Sequence, residues 1–318
     1  MHDGSIPLPL DPRKFQDPLL TAKGERRAWV GLEALETLWF NTGTLCNLTC
    51  EHCYIESSPR NDRLSYLSTA EVVAYLDEIE REGLPTRLIG FTGGEPFMNP
   101  QIMAMLEGSL ARGFGALVLT NAMKPMAQRK AALLGLRERW GDHLTIRVSL
   151  DHYGREVHER ERGQKTWQTT IDGLLWLQEK GFSLAVATRR LSGEEEPAIR
   201  RGFARLFQEL DIALDAEDPL SLVVFPEMDA RVDVPEITEA CWGILGKSPK
   251  SVMCASSRMV VKRKGAPRPV VLACTLIPYE PAFELGETLA EASRAVPLNH
   301  PHCAKFCVLG GGSCARAG

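Results

Sequence analysis

Two apolar periods take turns along most of the chain. Short, nearly continuous apolar runs occur at Leu38-Trp39-Phe40, Leu88-Ile89-Gly90-Phe91, 116–120, 144–150, 182–188 and Leu222-Val223-Val224-Phe225. Runs of this length bounded by turn residues read as buried strands. Between them the spacing becomes helical. Val72, Val73, Leu76 and Ile79 fall on one face, behind a Ser68/Glu71 capping box and ahead of Gly83 and Pro85. Further helices are predicted near 100–112 and 126–138. Another is predicted through Trp167, Ile171, Leu174 and Leu175, with Gly181 as its C′ residue. The next should begin near Pro197, where Glu194, Glu195 and Glu196 suit the positive end of its dipole. Strands alternating with helices imply an α/β chain with a parallel sheet. Functional groups are then expected at the C-terminal ends of its strands.

The flanks differ. Residues 1–35 are rich in proline and charge, carry no cysteine, and are expected to wrap the outside of the sheet-and-helix core. They are too short for a leader-peptide recognition domain. Beyond residue 240 the pattern gives a hairpin, 258–262 with 269–272, and a short helix from about Glu284 through Leu285, Leu289 and Ala290. The domains expected are an extension (1–35), an α/β core (36–240) and a cysteine-rich α+β unit (241–318).

Composition narrows this little. The 318 residues are 44% hydrophobic and 25% charged, ordinary globular values that allow one large domain and an appendage. A formal charge of −4 opposes broad affinity for nucleic acid. The one basic cluster, Lys262-Arg263-Lys264 with Arg268, reads as a solvated hairpin tip. No apolar run approaches the ~20 residues of a membrane helix. The odd nine cysteines and the lack of a signal-like N-terminus point to a reducing, cytoplasmic setting rather than a disulfide framework.

Cys46, Cys50 and Cys53 form a C-x3-C-x2-C loop, and Thr92-Gly93-Gly94-Glu95-Pro96 follows. Four thiolates usually hold a [4Fe–4S] cluster. Three leave one iron to bind something else, and the Gly-Gly-Glu turn could hold it. Zinc on the three thiols and His52 would not account for that turn. Both motifs, in this order, resemble the radical S-adenosylmethionine (SAM) superfamily over about 36–226. The resemblance implies a partial (β/α)6 barrel. It makes Cys46, Cys50 and Cys53 the ligands of a [4Fe–4S] cluster whose fourth iron is chelated by SAM. It sets Tyr54 near the adenine, Gly93 and Gly94 beside the methionine amino group, and the Glu95 carboxylate on that ammonium. Asn121, Ser149 and Asp151 end strands three and four, where Ser149 and Asp151 would meet the ribose and amino group of SAM. Arg162 is a partner for a SAM or substrate carboxylate, with a structural ion pair as the alternative; Arg189, closing strand five, is similar. Nothing ranks Glu227, Asp229 or His152 above ordinary loop residues. A flavodoxin or ferredoxin would supply the electron. No cobalamin-binding segment precedes the barrel.

Six more cysteines lie beyond the loop. Cys254, the hairpin, Cys274, a short helix and then Cys303, Cys307 and Cys314 resemble the twitch or SPASM appendage, which carries auxiliary [4Fe–4S] clusters. The C-x3-C spacing of Cys303 and Cys307 departs from the C-x2-C usual there. One auxiliary cluster is the economical reading, on Cys254, Cys274 and two of the last three, with Cys303 and Cys307 first. Gly310-Gly311-Gly312-Ser313-Cys314 resembles another SPASM ligand position. Cys241 reads as a core thiol, and zinc at the C-terminal cysteines stays open. Such an enzyme would abstract hydrogen from a small molecule or short peptide and oxidise the product through the second cluster. Thioether or C–C bond formation on a ribosomal peptide is the alternative, and a non-catalytic iron–sulfur or zinc protein a more distant one.

Overall fold

The computed structural model describes residues 8–191, 193–226 and 228–312. Six parallel strands form in chain order: β1 (Thr37–Asn41), β2 (Leu88–Thr92), β3 (Gly115–Thr120), β4 (Leu144–Ser149), β5 (Ser183–Arg189) and β6 (Leu222–Phe225). Each lies within a residue or two of its apolar run. Helices α1 (Thr69–Glu82), α2 (Ile102–Leu110), α3 (Lys130–Trp140), α4 (Arg155–Arg162), α5 (Thr166–Glu179) and α6 (Glu196–Glu209) link them. The capping box of α1 forms in full: Ser68 Oγ accepts from Glu71 N, and Glu71 accepts from Ser68 N. Gly83, in the left-handed conformation, closes that helix. Val72, Leu76 and Ile79 of α1 pack with Phe40, Ile89 and Phe91 in the main core. The fold is a parallel α/β partial barrel with a C-terminal cysteine-containing region.

That region is sewn into the same sheet. β7 (Ser257–Val261) pairs parallel with β1, in the register Thr37↔Ser257 to Phe40↔Val260. β8 (Val270–Leu272) and β9 (Glu284–Gly286) follow antiparallel, so the sheet has nine strands in the order β9-β8-β7-β1-β2-β3-β4-β5-β6. The helix expected from Glu284 is instead this strand, followed by a 3-10 turn at Glu291–Ser293. Gly286 sits at φ +139°, which no helix accepts, and Leu285 is buried by pairing with the hairpin. The basic tip is ion-paired throughout: Lys262 to Glu71, Arg263 to Glu284, Lys264 to Asp62 and Arg268 to Glu287.

From residue 8 on, the N-terminal extension packs against the stretch that follows β6, at 231–239, and against the C-terminal region at 296–298. Leu10 N donates to Arg231 O, Ala28 N donates to Ile237 O, and Trp29–Val30 pairs with Val296–Pro297. Buried Arg27 anchors it by a 2.6 Å ion pair to Glu236. Ala28, Val30, Val234, Ile237 and Leu298 form a small second core there.

Candidate functional site

At the C-terminal ends of the strands the loop after β1 and the turn after β2 are locked together. Gly94 N donates to Gly43 O at 2.8 Å and Glu95 N to Leu45 O at 3.1 Å. A Cβ on Gly94 would lie 2.1 Å from Leu45 O, and one on Gly93, at φ +144°, 2.5 Å from Gly43 O. Both glycines therefore have a local cause in the close approach of the cysteine loop itself.

The loop and the strand ends enclose about 810 Å³ of space. Its walls include Cys46, Cys50, Cys53, Tyr54, Gly93, Gly94, Asn121, Ser149, Asp151 and Arg162, together with Arg189. Backbone N–H groups of Leu48 and Ser57 donate to the sulfurs of Cys46 and Cys53, each at 3.4 Å. Burial pushes the Cys46 thiol up to about 12 and raises Cys50 as well. At neutral pH such thiols become thiolates by coordinating a metal.

Glu95 is turned inward, 2% exposed and absent from the cleft wall. It accepts from Phe97 N and Thr120 Oγ1 on Oε1 and from Asn121 N on Oε2. A carboxylate has about four acceptor positions, so one remains for an ammonium. Burial raises this carboxyl to about 7, against the pull of its donors. Asn121 extends the tie, its Nδ2 donating to Asn47 Oδ1 in the cysteine loop.

Asp151 meets two arginines: Arg162 at 2.7 and 3.0 Å, Arg189 at 2.7 and 3.2 Å. Burial alone would raise its carboxyl, but the two guanidinium groups hold it well below the usual range. The structural ion pair is thus the observed state of Arg162. Glu161 joins the network, bonding Arg189 at 2.5 Å and His52 Nδ1 at 2.7 Å. Held there, His52 is tied to a carboxylate on α4. Glu161 escaped sequence reasoning because α4 has almost no apolar face to announce it: six of its eight residues are Arg or Glu. Phe225, another wall residue missed, ends β6 and could have been found by the strand-end rule. His152 is buried against Glu194, away from the cleft, and Asp229 pairs with Arg231. Glu227 lies outside the described residues.

A second cavity, enclosing about 390 Å³, gathers Cys254, Cys274, Cys303 and Cys307 among Val252, Met253, Leu276, Phe283 and Leu298. Leu276 N donates to Cys274 Sγ at 3.3 Å. Burial raises Cys254 to about 11 and Cys303 to about 12. The C-x3-C spacing is met by a π-helix at Cys303–Leu309. Four residues apart on this helix, as on an α-helix, Cys303 and Cys307 share one face. His302 also lines this cavity. Cys241 lies outside it, its sulfur hydrogen-bonded to Thr238. Cys314 lies outside the described residues. Phe306 joins the two sites, its ring centroid 5.6 Å from that of Phe225 in the first cleft.

A partial parallel barrel with a three-thiol loop on a cleft at its strand ends defines an α/β enzyme scaffold of the iron–sulfur kind. The model of the radical SAM superfamily matches residues 40–196, and the chain belongs to that superfamily. Mycofactocin maturase MftC of Mycolicibacterium smegmatis is 28% identical over 166 residues, covering 52% of this chain and 39% of that protein. The subtilosin biosynthesis protein AlbA of Bacillus subtilis is 32% identical over 143 residues, 45% of this chain and 30% of that one. These matched stretches therefore span about two fifths or less of the curated relatives' length. Among solved structures, anSMEcpe with bound AdoMet superposes with TM-score 0.58 at 14% identity, covering 80% of this chain and 79% of that chain. Streptococcus suis SuiB bound to SAM gives TM-score 0.57 at 12% identity, covering 80% and 63%. These two likenesses concern the fold. Among the described residues, no helix is long and apolar enough to cross a membrane.

Proposed function

We propose that the chain cleaves SAM reductively and abstracts hydrogen from a small-molecule or short peptide substrate, with a second [4Fe–4S] cluster taking up the substrate's electron. The observation that carries this reading is the convergence of all three loop thiols and seven of the eight proposed SAM-contacting residues on one cleft. Cys46, Cys50 and Cys53 would hold the first cluster. Tyr54, Asn121 and Ser149 would wall the nucleoside, and Gly93 and Gly94 would serve the amino group, with Glu95 held behind them by Phe97, Thr120 and Asn121. When bound, the cluster and SAM together supply a 5′-deoxyadenosyl radical and methionine. The protein's part is to position that chemistry and exclude side reactions.

Cys254, Cys274, Cys303 and Cys307 would hold the second cluster, within the 241–318 unit. Mononuclear zinc, with Zn–S near 2.3 Å, needs sulfurs about 3.8 Å apart. Among the described residues no three of these thiols lie within 4.8 Å of one another, so as placed they do not form a closed mononuclear zinc site. Electrons would come from a flavodoxin or ferredoxin in a reducing cytoplasm. A peptide substrate is the second reading. It is favoured by the relatives' names, a maturase and a bacteriocin biosynthesis protein, and by the SuiB structure that holds precursor peptide SuiA.

Anaerobic reconstitution with iron, sulfide, SAM and a low-potential reductant tests the reading. 5′-Deoxyadenosine should form, and Cys50→Ala should abolish it while iron remains at the C-terminal site. No 5′-deoxyadenosine under those conditions would return the chain to a non-catalytic role.

A further inference from the structure

Three enclosed arginines among the described residues have carboxylate partners. Arg27 has Glu236, and Arg162 and Arg189 share Asp151. Arg258, on β7, is 1% exposed and donates only to backbone carbonyls: Ala292 O at 2.9 Å, Cys254 O at 2.5 Å, Ser257 O at 2.8 Å and Arg294 O at 3.3 Å. No carboxylate among the described residues forms an ion pair with it. A buried charge without a counter-charge costs several kinds of solvation at once. Carbonyl dipoles recover part of this, but leave the net charge in place.

The groups near Arg258 that can become anions are thiols. It bonds the carbonyl of Cys254, four residues upstream, and its strand pairs with β8, which ends two residues before Cys274. Both thiols line the second cavity, whose walls beyond the cysteines are mostly apolar. Four thiolates around a [4Fe–4S] core leave a net negative charge, which grows by one on reduction. A fixed positive charge beside it favours the reduced form.

His302 is the one other polar wall of that cavity. We infer that Arg258 is the buried counter-charge of the second site, raising the reduction potential of a centre held by Cys254, Cys274, Cys303 and Cys307. This rests on the proposal that those thiols hold a cluster. Arg258 is a positioning and tuning residue here, acting through the centre rather than on substrate. It also braces the turn that carries Cys254, so a charge effect must be separated from a bracing effect. Arg258→Lys keeps the charge and loses the planar fork. Arg258→Gln keeps an amide donor and loses the charge.

The test uses the full chain carrying Cys46→Ala, Cys50→Ala and Cys53→Ala, so that only the second site is read. Parent, Arg258→Lys and Arg258→Gln are reconstituted anaerobically and checked by circular dichroism, iron and sulfide content, and EPR-monitored redox titration. All three should hold about four irons. Arg258→Lys should titrate near the parent. Arg258→Gln should shift the reduction equilibrium at least tenfold toward the oxidised form, ~59 mV more negative for one electron. An unshifted Arg258→Gln, or equal shifts in both variants, would overturn the counter-charge while leaving the cluster standing. A parent without iron would overturn the second-site reading and this inference with it. Should Arg258→Gln not fold, Arg258→Lys decides alone: a potential near the parent's supports the inference, and a tenfold shift refutes it.

Discussion

The two cysteine sites solve opposite electrostatic problems. At the first, thiols face a cleft whose far wall is ionic, with Asp151 between Arg162 and Arg189, and Glu161 behind them. Every charge there is balanced by another side chain, in a network fixed to strand ends and to α4. At the second, thiols sit among Val, Leu, Met and Phe side chains, and the buried charge beside them, Arg258, has only carbonyls for partners. A balanced ionic wall can receive a zwitterion such as SAM without new uncompensated charge. An apolar pocket with a surplus cation suits a resident anionic centre that never exchanges with water. On the proposed reading, the first site would admit an exchanging ligand beside its cluster and the second would hold a group that stays.

The largest break in this comparison should come from Gly94→Ala. The new Cβ would meet backbone, 2.1 Å from Leu45 O, so the cysteine loop must move or the Gly94–Gly43 hydrogen bond must break. Overpacking of this kind costs about 1–3 kcal/mol, while the displaced loop loses its register on the cleft. Reconstituted Gly94→Ala should keep its circular dichroism and the second site's iron, lose the first site's share, and form no 5′-deoxyadenosine. Iron at both sites would mean that the turn and loop are not coupled.

Asp151→Asn tests the ionic wall. Removing one partner of a buried charge network leaves two guanidinium groups facing each other, a loss of about 3–5 kcal/mol. The sign follows from the depressed carboxyl: its stabilisation is present above the ordinary carboxylate range and is lost as pH falls through the lowered native value. Urea unfolding at pH 7 should show the full difference between wild type and Asp151→Asn, and a gap that closes in strong acid. Equal stability at pH 7 would make the pairing incidental.

How much of this contrast was written in the sequence differs between the sites. The strands were legible because each is a short apolar run, and the cysteine loop because its spacing is rare. The cleft's composition followed from the rule that strand ends carry chemistry, which is why Ser149, Asp151 and Arg189 were within reach. Partners were not. Glu95 looked like a ligand of SAM and is largely occupied by Phe97, Thr120 and Asn121, two of which come from the end of a strand 25 and 26 residues away. The helix at Arg155–Arg162 was invisible, since periodicity registers apolar faces and this one buries His158, Glu159 and Glu161. At the second site the cysteines were readable, but the joining of the hairpin to β1 depends on a parallel pairing 220 residues apart in sequence, Thr37 with Ser257. The π-helix at Cys303–Leu309 likewise has no periodic signature.

The smallest expected effect lies where the two motifs of the first site meet. Burial raises Glu95 to about 7 in the folded chain, above the ordinary 4.5. Between those values the native state binds more protons than the unfolded chain. Stability from this group is therefore full below pH 4.5 and declines as pH rises through 7. His158, His300 and His302 act in the opposite sense, because burial lowers them to about 4, 3 and 4, and their contribution grows with pH only up to the unfolded value near 6.5. Unfolded histidines are still half protonated at pH 6.5, so between pH 6.5 and 8 the Glu95 contribution is read as the difference in slope between wild type and Glu95→Gln. Across that interval wild-type unfolding free energy should rise less than that of Glu95→Gln, even if the variant is less stable throughout for placing an amide NH2 near the donor of Thr120 or Asn121. A slope unchanged by Glu95→Gln would show that the carboxylate is already ionised at pH 6.5, its three donors outweighing burial.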